Sequence, residues 1–251
     1  MEVRELAESQ ATLRQILVIT DGCSNVGEDP VQAAERARRQ GIAINVIGVV
    51  DKGDMGQQGR EEAMSIADAG GGLCRIVEPR ELSKTAQMLT HQTVQMTLQQ
   101  VVNQELMQAL GKTVDDLSPA ERVKVARVME TMEEEACLVL VVAVDTSASM
   151  REKMPTVKEA ILDLSLSLQA RKGPSQVAVV VFPGSATEMV RTVQPFQDSV
   201  DTAALESMLV ARGGTPTGPA IDYAADLIRS RPDTPQSERI DAWPDEPASG
   251  A

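Results

Sequence analysis

The chain has 251 residues, 42% of them apolar, with 24 Lys plus Arg against 37 Asp plus Glu and a formal net charge of −13. That length holds one large α/β domain or two small ones, and the apolar share excludes wholesale disorder. The negative balance repels phosphate backbones and anionic lipid heads, so neither nucleic acid nor a membrane surface is expected as a partner.

Residues 1–13 are polar and read as a short helix or frayed tail, with no apolar signal region in Met-Glu-Val-Arg-Glu-Leu. Gln15 to Thr20 is a buried strand broken at Asp21-Gly22. Asp29-Pro30 opens a helix to about Gln40, with Asp29 as N-cap and Pro30 at the first helical position. Arg36, Arg38 and Arg39 on it read as a solvated face of mixed charge. Gly41 stops this helix and Ile42 to Val50 is a second strand. A Gly-rich loop from Asp51 to Gly59 leads to a helix near Arg60–Ala69, and the turn at Gly70–Gly72 precedes a short strand, Leu73 to Val77. Strand and helix alternate, the signature of a parallel sheet covered by helices.

From Pro79 the pattern changes. Glu81 to about Leu110 reads as one long helix rich in Gln and Met, ended by Gly111, and Ser118-Pro119 starts another to about Glu135. The Met and Gln residues of 87–108 are expected to cover the sheet, and His91 to be a surface or packing residue. The longest apolar run follows at Ala136 to Val144, nine residues where a membrane-spanning helix needs about 20. Lys153 to Arg171 is amphipathic helix, Gln176 to Phe182 another strand, and Glu188–Val193 a weaker one. Asp201 to Val210 reads as a short helix, and the turn Gly213-Gly-Thr-Pro-Thr-Gly218 leads into a helix over about Pro219–Ser230. The stretch 231–251, with four prolines and Trp243, reads as a disordered tail. Three cysteines (Cys23, Cys74, Cys137) lack metal-ligand spacing, so a cytoplasmic protein with reduced thiols is expected.

Three polar clusters lie just beyond strand ends or at a helix entry: Asp145-Thr-Ser147-Ala-Ser149, Thr215 in its Gly-Gly-Thr-Pro turn, and Asp21 in Ile-Thr-Asp-Gly. Open parallel sheets bind ligands along that edge. Two carboxylates and three hydroxyls are hard oxygen donors, suited to Mg²⁺ or Mn²⁺ rather than zinc or copper. Few carboxylates leave such a cation under-neutralised, so a carboxylate from another molecule could replace a coordinated water.

The Asp-x-Ser-x-Ser run at Asp145, Ser147 and Ser149 resembles that of the von Willebrand factor A (VWA) family, whose metal-ion-dependent adhesion site (MIDAS) adds a threonine and a later aspartate. Thr215 and Asp21 are similar to those two. The resemblance implies a Rossmann-like, doubly wound, mostly parallel α/β sheet with one antiparallel edge strand, here Glu188–Val193. It also implies a non-enzymatic, metal-dependent module that binds an acidic side chain of a partner protein, in bacteria often beside ATPases or kinases, including in spore formers.

The family order is reversed here, because Thr-Asp-Gly precedes Asp-x-Ser-x-Ser. The expectation is a circular permutation, with 14–110 as the family's C-terminal half, 111–136 as extra helical linker, and 137–230 as the N-terminal half. The helix at 119–135 would span about 25 Å, more than the connection requires. It either packs as an added element or lets two chains exchange halves in a homodimer. Two alternatives stay open: aspartyl phosphoryl transfer on Asp145, and a structural half-swapped dimer.

Overall fold

The computed structural model describes residues 11–50, 56–185, 187–207 and 213–231. The expectations for residues 1–10, the loop from Asp51, the end of the 201–210 helix, and the tail with Trp243 fall outside these.

Strands β1 (Thr12–Thr20), β2 (Ile42–Val49), β3 (Gly71–Val77), β4 (Cys137–Asp145), β5 (Ser175–Phe182) and β6 (Arg191–Gln197) form one sheet in the order β3-β2-β1-β4-β5-β6. All neighbours are parallel except β5 and β6. The edge strand starts later than the expected Glu188 because Glu188 and Met189 are held in a turn against Gly184 and Ser185. There Gly184 N–H donates to Glu188 O, and Glu188 N–H to Ser185 Oγ, at 3.0 and 3.1 Å.

Alternate residues of each strand point to opposite faces, and in β2, β4 and β5 both faces are buried and largely apolar, as a doubly covered parallel sheet demands. Along β4, Leu138, Leu140, Val142 and Val144 meet α3 (Leu82–Leu110) and α5 (Met154–Gln169). Val139, Val141 and Ala143 meet the other face, covered by α1 (Pro30–Arg39), α2 (Gln57–Ala69) and α7 (Thr217–Arg229). The contact residues of α1 are Ala33, Ala34 and Ala37, small enough for close approach to the sheet. The Asp29 side chain caps this helix from Val31 N at 2.8 Å. Arg36 is not simply solvated: its guanidinium forks onto Asp222 at 3.1 and 2.6 Å, tying α1 to α7.

The two blocks of the sequence therefore close one sheet within one chain. Between them, α3 runs 29 residues, about 43 Å, while a nine-residue strand covers about 30 Å. Its buried residues stop at Leu98, so the remainder overshoots the sheet. After a turn held by Thr113–Asp116, α4 (Pro119–Glu135) returns antiparallel along α3: Asn103 Oδ1 accepts from Val114 N, and Glu133 reaches Gln95 and His91. The apparent excess length of this connection is an out-and-back path. Ser118 caps α4 in a box with Glu121. At its far end Gly173 N donates to Glu134 O and Cys137 N to Ala11 O, which fixes the junction at the amino ends of β1, β4 and β5. Short α6 (Thr202–Glu206) completes the helices, capped by Asp201. Among the described residues no helix is long and apolar enough to cross a membrane.

Leu140 is fully buried in the central strand, whereas Leu166 on α5 is 63% exposed. Leu140→Ala should lose about 2–5 kcal/mol in urea unfolding, and Leu166→Ala should stay within about 0.5 kcal/mol of wild type.

Candidate functional site

The strand order reverses direction between β1 and β4: from β1 the chain winds outward through β2 and β3, and from β4 through β5 and β6. The crevice at the carboxyl ends of these two strands is where open sheets of this kind take ligands. Asp21 follows the last residue of β1, and Asp145 is the last residue of β4.

Asp145 is fully buried, and both of its oxygens accept hydrogen bonds. Ser147 N donates to Oδ1 and Thr20 Oγ1 to Oδ2, each at 2.8 Å. The first bond curls the loop after β4 back on its strand, turning Ser147 and Ser149 toward β1. The Ser147 and Ser149 hydroxyls stand 3.1 Å apart, and Ser149 Oγ donates to Asp21 Oδ1 at 2.8 Å. Four of the five expected residues thus form one continuous hydrogen-bonded chain. Thr146 faces away and locks the loop to β5's end through Pro183 O at 2.9 Å.

Thr215 is placed one step removed. Its N–H donates to Asn25 Oδ1 at 2.7 Å, and its carbonyl accepts from Asn25 N and Ser24 Oγ at 3.2 Å each. It is pinned to the loop that carries Asp21, while its hydroxyl makes no hydrogen bond to the other four among the described residues. The glycines of the turn permit this docking. A Cβ on Gly214 would lie 2.3 Å from Asn25 Oδ1, and one on Gly218 would lie 2.2 Å from Glu28 O.

Lys153 is a site residue that sequence reasoning assigned only to the start of a helix. Its ammonium lies 2.7 Å from Asp21 Oδ2, with the two side chains 10% and 4% exposed. Its spacing of four residues from Ser149 was visible in the chain, but nothing in that spacing reveals a contact with a residue of β1's loop.

The donor set fits a small divalent cation. Adjacent oxygens on an octahedral Mg²⁺, each about 2.1 Å from it, are about 3.0 Å apart, close to the Ser147–Ser149 separation of 3.1 Å. Among the described residues no group of three or more His, Cys, Asp or Glu could hold a metal, so hydroxyls have to complete any such site. The other candidate chemistries lie elsewhere. His91 is 64% exposed on α3 and pairs with Glu133. Burial, then nearby Glu62, pushes the Cys23 thiol up, and burial pushes Cys74 up to about 11, which keeps both as weakly reactive thiols.

Residues 2–92 and residues 140–240 each match a family model of the von Willebrand factor type A domain. The chain is 47% identical over 226 residues to the uncharacterized protein YabS of Bacillus subtilis (strain 168), covering 87% of this chain and 91% of that protein. A crystal structure of an uncharacterized protein from Alicyclobacillus acidocaldarius is similar at 64% identity and a TM-score of 0.86, covering 90% of this chain and 97% of that one.

Burial pushes the Asp145 carboxyl above the usual aspartate range, opposed by the hydrogen bonds from Ser147 and Thr20 and reinforced by the Asp21 charge. The folded protein thus holds this proton to higher pH than the unfolded chain does. Between the two pKa values it binds more protons than the unfolded chain, so Asp145's contribution to stability falls as pH rises through that window and levels above it. In chelator-containing buffer, wild type should lose stability relative to Asp145→Asn as pH rises through this range. A pH-independent difference in urea unfolding would refute the assignment.

Proposed function

Since the chain belongs to the von Willebrand factor type A domain family, we propose that it acts as a metal-dependent protein-interaction module with a MIDAS-type centre. In this reading Ser147, Ser149 and Thr215 offer hydroxyls, and Asp145 and Asp21 carboxylates, to Mg²⁺ or Mn²⁺. The bound cation supplies an open coordination position for an acidic side chain of a partner protein. The supporting observation is the hydrogen-bonded chain from Asp145 through the Ser147 backbone and the Ser147 and Ser149 hydroxyls to Asp21, whose last link joins residues 128 apart in sequence.

The chain's own groups have distinct parts in this arrangement. Asp145, inaccessible and doubly hydrogen-bonded, shapes the loop and adds negative charge beneath the hydroxyls. Ser149 is exposed, so the hydroxyl edge of the site is open to an approaching partner. The same burial makes Asp145 a poor nucleophile for phosphoryl transfer, and Ser147 stands where a second aspartate would be wanted. A module without enzymatic activity is the reading we adopt. The link from Asp145 through Ser147 and Ser149 to Asp21 lies within one chain, which supports a site built without exchange of halves.

We also read the chain as a circular permutation of the family fold, with 137–230 as its first half, 14–110 as its second, and α3 and α4 making the new connection. The parallel register of β1 on β4 and the two separate family matches support this reading.

Calorimetric titration with Mg²⁺ or Mn²⁺ tests the site. Wild type should bind one equivalent, and Asp145→Ala and Asp21→Ala should each lose at least tenfold in affinity, about 1.4 kcal/mol. Undiminished binding by either folded variant would overturn the assignment.

A further inference from the structure

Lys153 stands at the N-cap of α5, one helical turn beyond Ser149, with its backbone N–H on Met150 O. Its ammonium touches Asp21 Oδ2 at 2.7 Å and the Ser149 carbonyl at 3.3 Å. The other Asp21 oxygen is the one that accepts from the Ser149 hydroxyl. A positive charge is therefore built against one of the two carboxylates of the site, in surroundings that leave only 10% of the lysine side chain exposed. Lysine is rarely withdrawn from water this far without a partner, and screening by salt is weak at such depth.

We propose that Lys153 is a specificity-determining residue of the cation site, a tethered positive charge that weakens capture of a bare divalent ion and couples tight capture to binding of a carboxylate. The inference rests on the cation-binding reading above and deepens it. Asp145 and Asp21 bring two negative charges, and Lys153 cancels one. A divalent ion in this set leaves a net positive site, which one further carboxylate neutralises. Without the lysine, the two aspartates match the ion's formal charge, so the shortfall of negative charge that recruits an outside acid comes from Lys153. Cation and carboxylate then raise each other's affinity by a common factor, as linkage requires.

A plain structural role for the same ion pair, tying the loop after β1 to α5, has a different signature. Removing a structural pin lowers stability and leaves cation affinity equal or weaker. Removing a tethered counter-charge tightens it.

The test uses the full chain, with Mn²⁺ as the cation and acetate as the carboxylate probe, read by calorimetry and by the resonance signal of free Mn²⁺. Lys153→Met should bind Mn²⁺ at least about tenfold more tightly than wild type without acetate. Acetate should tighten Mn²⁺ binding by wild type severalfold and by the variant little. Lys153→Arg, which keeps the charge, should behave as wild type. Should Lys153→Met fail to fold by circular dichroism, Lys153→Gln compared with Lys153→Arg carries the same test. Equal or weaker Mn²⁺ binding by the folded neutral variant, with wild type binding normally, would overturn this inference alone. Absence of Mn²⁺ binding in wild type and every variant would overturn the cation site as well.

Discussion

Eight successive residue pairs, from Thr12 with Cys137 to Ile19 with Val144, zip together two segments 125 residues apart in the chain. Each of these strands is buried on both faces by Val, Ile, Leu and Ala, so the register is set by packing on two sides at once. Closing so long a loop costs entropy that grows only slowly with its length, and the burial offsets it. Because the strands are parallel and end nearly level, the residues just past their carboxyl ends are delivered to the same crevice. Asp21 meets Ser149 there for no local reason. The pairing of β1 with β4 brings them together.

Within that crevice the two carboxylates live in different environments. Asp145 is enclosed, raised in pKa by burial, and held by neutral donors from Ser147 and Thr20. Asp21 is also withdrawn from water, its side chain 4% exposed, but it is bonded to a serine hydroxyl on one oxygen and to an ammonium on the other. The first is suited to fixing loop shape, the second to responding to whatever charge enters the site. Both depend on backbone loops that start from rigid strand ends, so small changes in strand packing would reach the hydroxyls directly.

The helical pair α3 and α4 solves a problem of connectivity. A chain that leaves β3 for the face of the sheet must travel back to the amino end of β4. α3 covers β1, β2 and β3 with Leu82, Leu89, Val94 and Leu98, then continues past the sheet, and α4 brings the chain back. No residue of α4 is fully buried, so its position rests on α3 and on the polar junction with residues 171–173, where Arg171 binds Glu133 and Ala136 carbonyls and Lys172 pairs with Glu134.

Much of this was legible in the chain itself. Apolar runs of strand length, the Asp29-Pro30 and Ser118-Pro119 helix starts, and the stop at Gly111 are local signals, and local sterics and hydrogen bonding enforce them. The Asp-x-Ser-x-Ser, Gly-Gly-Thr-Pro and Thr-Asp-Gly runs stood out because each marks a strand end or helix entry by its own composition, and the fold joins Asp145, Ser147, Ser149 and Asp21 by hydrogen bonds. The start of β6 was misjudged, since a turn held by the side chain of Ser185 has no periodicity to reveal it. The antiparallel return of α4, the Arg36–Asp222 clamp and above all the Lys153–Asp21 contact joined residues whose partners lie far away in sequence. Residue identity determined which oxygen-bearing groups the chain offers at these strand ends. Only the folded sheet decided which of them stand within bonding distance, because that follows from strand register and helix placement, which burial sets across the whole chain.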